Sequence, residues 1–352
     1  MPAPFFSVIV PVCNRLTFMA GGMDMLLGQS FSDFEIILVD DGSSDGSAEA
    51  CDRAAEHERV RVIHRRNGGA GPARNAGLAA ARGVWVCFCD IDDRVPADWL
   101  EKIYGHLADD SCEMLVFGYR EHNPRLGTVA EFAFADKAVN TNRDLAAAYS
   151  ETLSGRRFNN GFVWNKVYQR DFLLRHGIVF PDLRIQQDEV FNHNVYRRVS
   201  RVKLVSDVLY DYYVYDCGTG RSRTIPRRTE IFTAVRASFL ALCDFWGLHD
   251  EPLLTYIHSR FIYNILYNRN RNGLCGLCLW ADEVLSSKEV AESLSYLSAA
   301  GCGAAAGSVL RAAVARRSKP LLLLAAVCDT AVSRTKELCR NVLHALRRAN
   351  RR

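Results

Sequence analysis

Apolar residues fall along this chain in short, nearly unbroken blocks. Phe5 to Val12 is interrupted only by Ser7, Phe34 to Val39 only by Glu35, and Val84 to Cys89 not at all. Blocks of this length, rich in Val and Ile, read as strands buried on both faces. Between them, residues 16–29, 47–56 and 72–81 carry helical spacing, and 60–63 is a shorter strand. Strands alternating with helices over short loops predict a parallel, doubly wound α/β sheet. A helix over 99–107, a strand over 114–118, a turn passing into a helix over 182–194 and a strand over 202–215 continue the pattern. After Arg228 the period changes, with helical segments at 231–246, 253–268 and 283–297. The chain therefore divides into an α/β domain, residues 1–226, and a helical C-terminal region, residues 227–352.

The polar clusters sit where strands end. Asp40-Asp41-Gly42-Ser43-Ser44 follows the second block, Asn67-Gly68-Gly69 the third strand, and Asp90-Ile91-Asp92-Asp93 the Val84 block. Unpaired carboxylates do not stay in a core, so the last cluster marks where the chain leaves the sheet. In open α/β sheets that edge is where ligands sit. Oxygen-only donors suit Mg²⁺ or Mn²⁺, which reads as a metal-diphosphate site. A solvated turn or helix cap is the alternative.

Composition adds limits. A hydrophobic fraction of 49% and a charged fraction of 24% permit a sizeable core. The net charge of +4 gives no reason to expect nucleic acid. Several of the twelve cysteines, Cys87, Cys89 and Cys243 among them, lie inside apolar runs as small hydrophobes. A reduced, cytoplasmic protein is expected. No signal peptide and no eighteen-residue apolar run are visible. Beyond Leu310 Lys and Arg far outnumber Asp329 and Glu337. A helix there, with Leu338, Val342, Leu343 and Leu346 on one side, either lies on anionic lipid at the inner membrane face or packs on the body. A nicotinamide enzyme would need Gly-x-Gly-x-x-Gly after the first strand. Pro11-Val12-Cys13-Asn14 stands there instead.

The motifs, in order, resemble the family 2 glycosyltransferases of the GT-A fold, in particular those of bacterial capsule, exopolysaccharide and lipopolysaccharide assembly. Ser7 to Asn14, Val39 to Ser47, Asn67-Gly68-Gly69, Ala73 to Leu78 and Asp90 to Asp93 carry the resemblance. Trp164 to Tyr168 and Asp188 to Asn192 complete it, and it spans residues 5 to about 223. It implies a GT-A sheet and an inverting transfer of sugar from a nucleotide donor, expected to be a UDP-sugar, to a saccharide or lipid-linked saccharide. A non-catalytic GT-A module that binds a glycan or partner is the alternative.

By that resemblance Asp41 contacts the uracil, Pro11 and Val12 flank the base, and Asn14 and Arg74 lie near the nucleotide. The divalent ion, Mn²⁺ or Mg²⁺, would sit on Asp93, with Asp92 near the ribose or the ion, and Asp90 would orient a loop or touch donor hydroxyls. Asp188 matches the base of the family's Glu-Asp pair, although Gln187 replaces the Glu. Lys166 would help frame the acceptor side. Arg221, in a glycine-flanked loop, is a candidate to close over the diphosphate.

Overall fold

The computed structural model describes residues 3–108, 112–154, 161–215, 228–249, 251–267 and 273–299, with residues 316 and 318. Arg221 and the basic stretch beyond Leu310 fall outside them, apart from Arg316. In chain order the strands are β1 (Phe6–Val12), β2 (Phe34–Asp40), β3 (Val60–His64), β4 (Trp85–Phe88), β5 (Met114–Asn123), β6 (Thr128–Phe132), β7 (Lys137–Val139), β8 (Lys166–Gln169) and β9 (Val202–Tyr213). The helices are α1 (Leu16–Leu27), α2 (Ser47–Ala54), α3 (Ala70–Ala80), α4 (Trp99–Leu107), α5 (Asn142–Ser154), α6 (Arg170–Arg175), α7 (Gln187–Tyr196), α8 (Arg228–Trp246), α9 (Glu251–Tyr267), α10 (Gly273–Ser286) and α11 (Lys288–Ala299).

All nine strands join one sheet in the order β3-β2-β1-β4-β8-β5-β9-β7, with β6 paired to β5. The first four strands are mutually parallel, as their apolar runs require, and β2 is buried from end to end. The sheet is not parallel throughout. β8 runs antiparallel to both β4 and β5. Strands β6 and β7 went unread because their residues are largely exposed and carry no apolar run. Val84, at the head of the third apolar block, is 48% exposed, and β4 begins only at Trp85. The helical segment expected at 283–297 is two helices, α10 and α11.

Helix α3 lies against β1 and β2 with almost no spacing. A Cβ on Gly77 would come within 2.4 Å of Ile9 Cγ2, so only glycine permits that approach. The chain divides into two compact units, Met1–Cys217 with Ala241–Leu248, and Gly218–Leu240 with His249–Arg352. Among the described residues no helix is long and apolar enough to cross a membrane.

Candidate active site

β1 lies between β2 and β4, with Val12 opposite Asp40 and Ile9 opposite Phe88. The loops that leave these three strands therefore sit side by side at their carboxyl ends. Chain order reverses between β1 and β4, the place where open α/β sheets hold their ligands. Arg15 Nε crosses that place and donates to Asp92 Oδ2 at 3.0 Å.

On the β2 side, Val12 ends its strand by accepting the Asp41 N–H at 2.8 Å. Pro11 beside it is half-buried. Asn14 adopts a positive φ of 51° and binds the serine loop, accepting from the Ser44 N–H at 2.7 Å and donating its own N–H to Ser43 Oγ at 3.0 Å. The Asp41 carboxylate is buried and faces the glycine loop. It accepts the Gly69 N–H at 2.7 Å, the Gly68 N–H at 3.0 Å, and a guanidinium N–H of Arg65. A carboxylate has about four acceptor directions, so little capacity is left for an imide. Asp41 shapes the loop that opens α3. Arg65 was not anticipated; one basic residue after a strand carries no distinguishing pattern.

On the β4 side the three acids separate. Arg74, from α3, donates to Asp90 Oδ1 at 2.8 Å, and its guanidinium rests on the Phe180 ring. Asp92 is held by Arg15, and burial followed by the charge of Asp90 raises its pKa. Asp93 is only 2% exposed. Its oxygens accept the Tyr210 hydroxyl at 2.8 Å and the Tyr213 N–H at 3.0 Å. Burial, then the charge of Asp90, pushes its pKa up to about 8. The expectation that the ion sits on Asp93 does not fit this geometry. That carboxyl is turned inward onto β9, while Asp90 and Asp92 are the acids nearer solvent. The tyrosines of β9 were unread because a tyrosine-rich strand looks like core.

Among the described residues no group of three or more His, Cys, Asp or Glu is arranged to hold a metal. Asp90 and Asp92, each paired with an arginine, are the acids that would hold a Mg²⁺-type ion, since such ions take most of their ligands from phosphates and water and not from an all-protein cage.

The third component arrives from far along the chain. Asn75 and Phe180 form a reciprocal pair: Asn75 Nδ2 donates to the Phe180 carbonyl, and the Phe180 N–H donates to Asn75 Oδ1, both at 2.8 Å. Arg184 donates to Asn67 Oδ1 at 3.0 Å. These contacts dock residues 180–187 on α3 and its glycine loop, and α7 then starts at Gln187 with Asp188 in its first turn. Asp188 feels the Arg74 charge. Burial first, and then Glu189, push its pKa up to about 6 against the pull of Arg74. Arg74 thus pairs with Asp90, and its charge also acts on Asp188.

Residues 7–149 match the family described as Glycosyl transferase family 2. Over those residues the chain is similar to family 2 glycosyltransferases. Among curated relatives, an uncharacterized glycosyltransferase, EpsJ, of Bacillus subtilis is 33% identical over 211 residues, 59% of this chain and 61% of EpsJ. The poly(ribitol-phosphate) β-N-acetylglucosaminyltransferase TarS of Staphylococcus aureus is 26% identical over 267 residues, 74% of this chain and 44% of TarS. The chain spans about three fifths of the length of EpsJ and of the putative glycosyltransferase EpsH of the same organism. The crystal structure of S. aureus TarS 1–349 aligns with a TM-score of 0.62 at 18% identity, covering 94% of this chain and 92% of that one. The same fragment in complex with UDP-GlcNAc gives 0.64. This likeness shows the fold, and the GT-A architecture expected from the glycosyltransferase motifs is the one observed.

Proposed function

We propose that this protein transfers a sugar from a UDP-sugar to a hydroxyl of a saccharide or lipid-linked acceptor during cell-surface polymer synthesis, with inversion. The observation that supports the reading is the ion pair of the buried Arg74 with Asp90 at the carboxyl edge of the sheet, together with the action of the Arg74 charge on Asp188. The UDP-GlcNAc complex of TarS supports UDP as the donor nucleotide.

In this reading the base rests on the β1 and β2 ends, Pro11, Val12 and Asn14, beside the Asp41-braced glycine loop. Asp188 takes the proton of the acceptor hydroxyl as it attacks the anomeric carbon from the face opposite the leaving diphosphate. A carboxylate whose pKa is raised toward neutrality is better matched to that role than an ordinary aspartate. Arg74 keeps Asp188 ionised enough to act and places a cation next to Asp90. Asp90 and Asp92 would hold Mg²⁺ or Mn²⁺ together with the phosphates, and a bound ion would neutralise charge on the departing UDP. Asp93 and Tyr210 fix the loop on which those acids stand.

The test is calorimetric titration of the protein with UDP and UDP-sugars, with and without Mn²⁺, followed by assays of UDP release. Tighter binding with metal and donor turnover are the expected results. Absence of any nucleoside diphosphate binding would overturn the reading.

A further inference from the structure

Lys166 is a charged side chain in a place where charge is costly. It opens β8, is 1% exposed, and its ammonium donates to the Phe162 carbonyl and to Asn165 Oδ1 at 2.8 Å. Both acceptors are neutral. Among the described residues no carboxylate lies within ion-pair distance of it. An ammonium taken out of water without a counter-ion costs several kcal/mol, so either the charge is compensated at longer range or the group is neutral.

The surrounding hydrogen bonds point to the compensating anion. Asn165 is anchored on β5, donating its amide to the Phe117 carbonyl at 3.2 Å. The Phe162 carbonyl that accepts from Lys166 also accepts from Asn192 Nδ2 at 3.0 Å. Asn192 Oδ1 in turn accepts the Tyr168 hydroxyl at 2.7 Å. Asn192 stands four residues after Asp188 on α7, hence on the same helix face. The lysine and the carboxylate are thus fastened to one another's elements through a single carbonyl.

We propose that Lys166 is a positioning residue for Asp188: its buried ammonium, clamped between β5 and α7, is the titratable counter-charge that holds Asp188 ionised at the acceptor side. This rests on the reading of Asp188 as the base. The groups electrostatically coupled to Asp188 are Arg74 from α3, Lys166 and Tyr168 from β8, and Glu189 from its own helix. Arg74 is permanently charged, whereas burial brings Lys166 down to about 7, with Asp188 pulling the other way. Of the two cations, only Lys166 changes its charge near neutrality.

The experiment is ¹³C-carboxyl NMR of Asp-labelled full-length protein without ligand, the Asp188 signal being assigned by its absence in D188N. Wild type, K166R, K166M and K166Q are titrated, and circular dichroism confirms that each folds. Loss of the charge in K166M or K166Q raises the Asp188 midpoint by on the order of one pH unit, and K166R leaves it near or below wild type. The acidic limb of UDP-sugar turnover follows the NMR midpoint. Coincident midpoints in wild type and in whichever neutral variant folds overturn the proposal. That result leaves the transferase reading standing, because the titration needs no substrate. A shifted midpoint with no turnover of any UDP-sugar would sink the transferase reading while keeping the coupling.

Discussion

Arg74 and Asp90 form an ion pair whose two members live in different surroundings. The guanidinium side chain is 7% exposed and the carboxylate 31%, at a separation of 2.8 Å. Arg74 Nε has no hydrogen-bond partner and is buried. A buried cation with a spare donor, beside an acid that solvent can reach, is oriented by the fold and not by the pair alone.

Replacing Arg74 by Met keeps most of the volume and removes the charge. Asp188 then loses its permanent cation, and a carboxylate that loses a close cation rises by about 1–3 pH units. Turnover at pH 7 is expected to fall at least about tenfold, since one unit of pKa is about 1.4 kcal/mol. The acidic limb of the UDP-release profile should move to higher pH. An unmoved limb would show that Arg74 acts elsewhere.

Asp188→Asn removes the proposed base. Transfer should drop by about 10²–10⁴-fold, while UDP binding, read by thermal shift, persists. Its effect on stability has a defined sign. The folded pKa stands near 6 against an ordinary 3.8, so the fold favours the protonated form. Stability from this group is fullest below pH 4 and is lost as pH rises to about 6. The variant should therefore be more stable than wild type at pH 7, by on the order of 1–3 kcal/mol. Equal urea midpoints at pH 7 would contradict this.

Asp92 and Asp93 should separate by readout. Asp92→Ala removes a partly buried pair with Arg15 in which the fold already disfavours the ionised carboxylate, so it should cost little stability and chiefly weaken the Mn²⁺ enhancement of UDP binding. Asp93→Ala strands the Tyr213 N–H inside the protein, at about 1–3 kcal/mol, and leaves the Tyr210 O–H only the weak Cys89 Sγ acceptor while its oxygen keeps the Asp90 N–H. Calorimetric unfolding beside UDP titration distinguishes the two. The reverse pattern would return the ion to Asp93.

Gly83→Ala tests the sheet end beneath β4. A Cβ there would meet Ser7 N at 2.5 Å and the Phe6 carbonyl carbon at 2.7 Å, both backbone. Backbone cannot yield as a flexible side chain does, so destabilisation of about 1–3 kcal/mol or more is expected. A wild-type melting temperature would refute the close approach.

The parallel half of the sheet could be read in advance because its strands are apolar blocks between glycines and acids. Strand β8 gave no such signal: it is four residues long and its Lys166 argues against a core strand, yet it sits in mid-sheet. The acids of the site were visible as clusters, but the choice between Asp92 and Asp93 was not. It depends on Tyr210 and Tyr213, more than a hundred residues later, whose hydroxyl and N–H claim one of two adjacent carboxylates. Likewise Asp188 was visible as an acid opening a helix, while its raised pKa depends on burial that no local pattern encodes.

The paired amides of Asn75 and the Phe180 backbone join positions 105 residues apart. They have a practical consequence for recombination among family members. A chimera that takes residues 161–215 from a relative keeps its register against α3 only if the partner at 75 presents a side-chain amide of the same reach. That block is therefore transplantable only together with one asparagine that lies far from it in the chain.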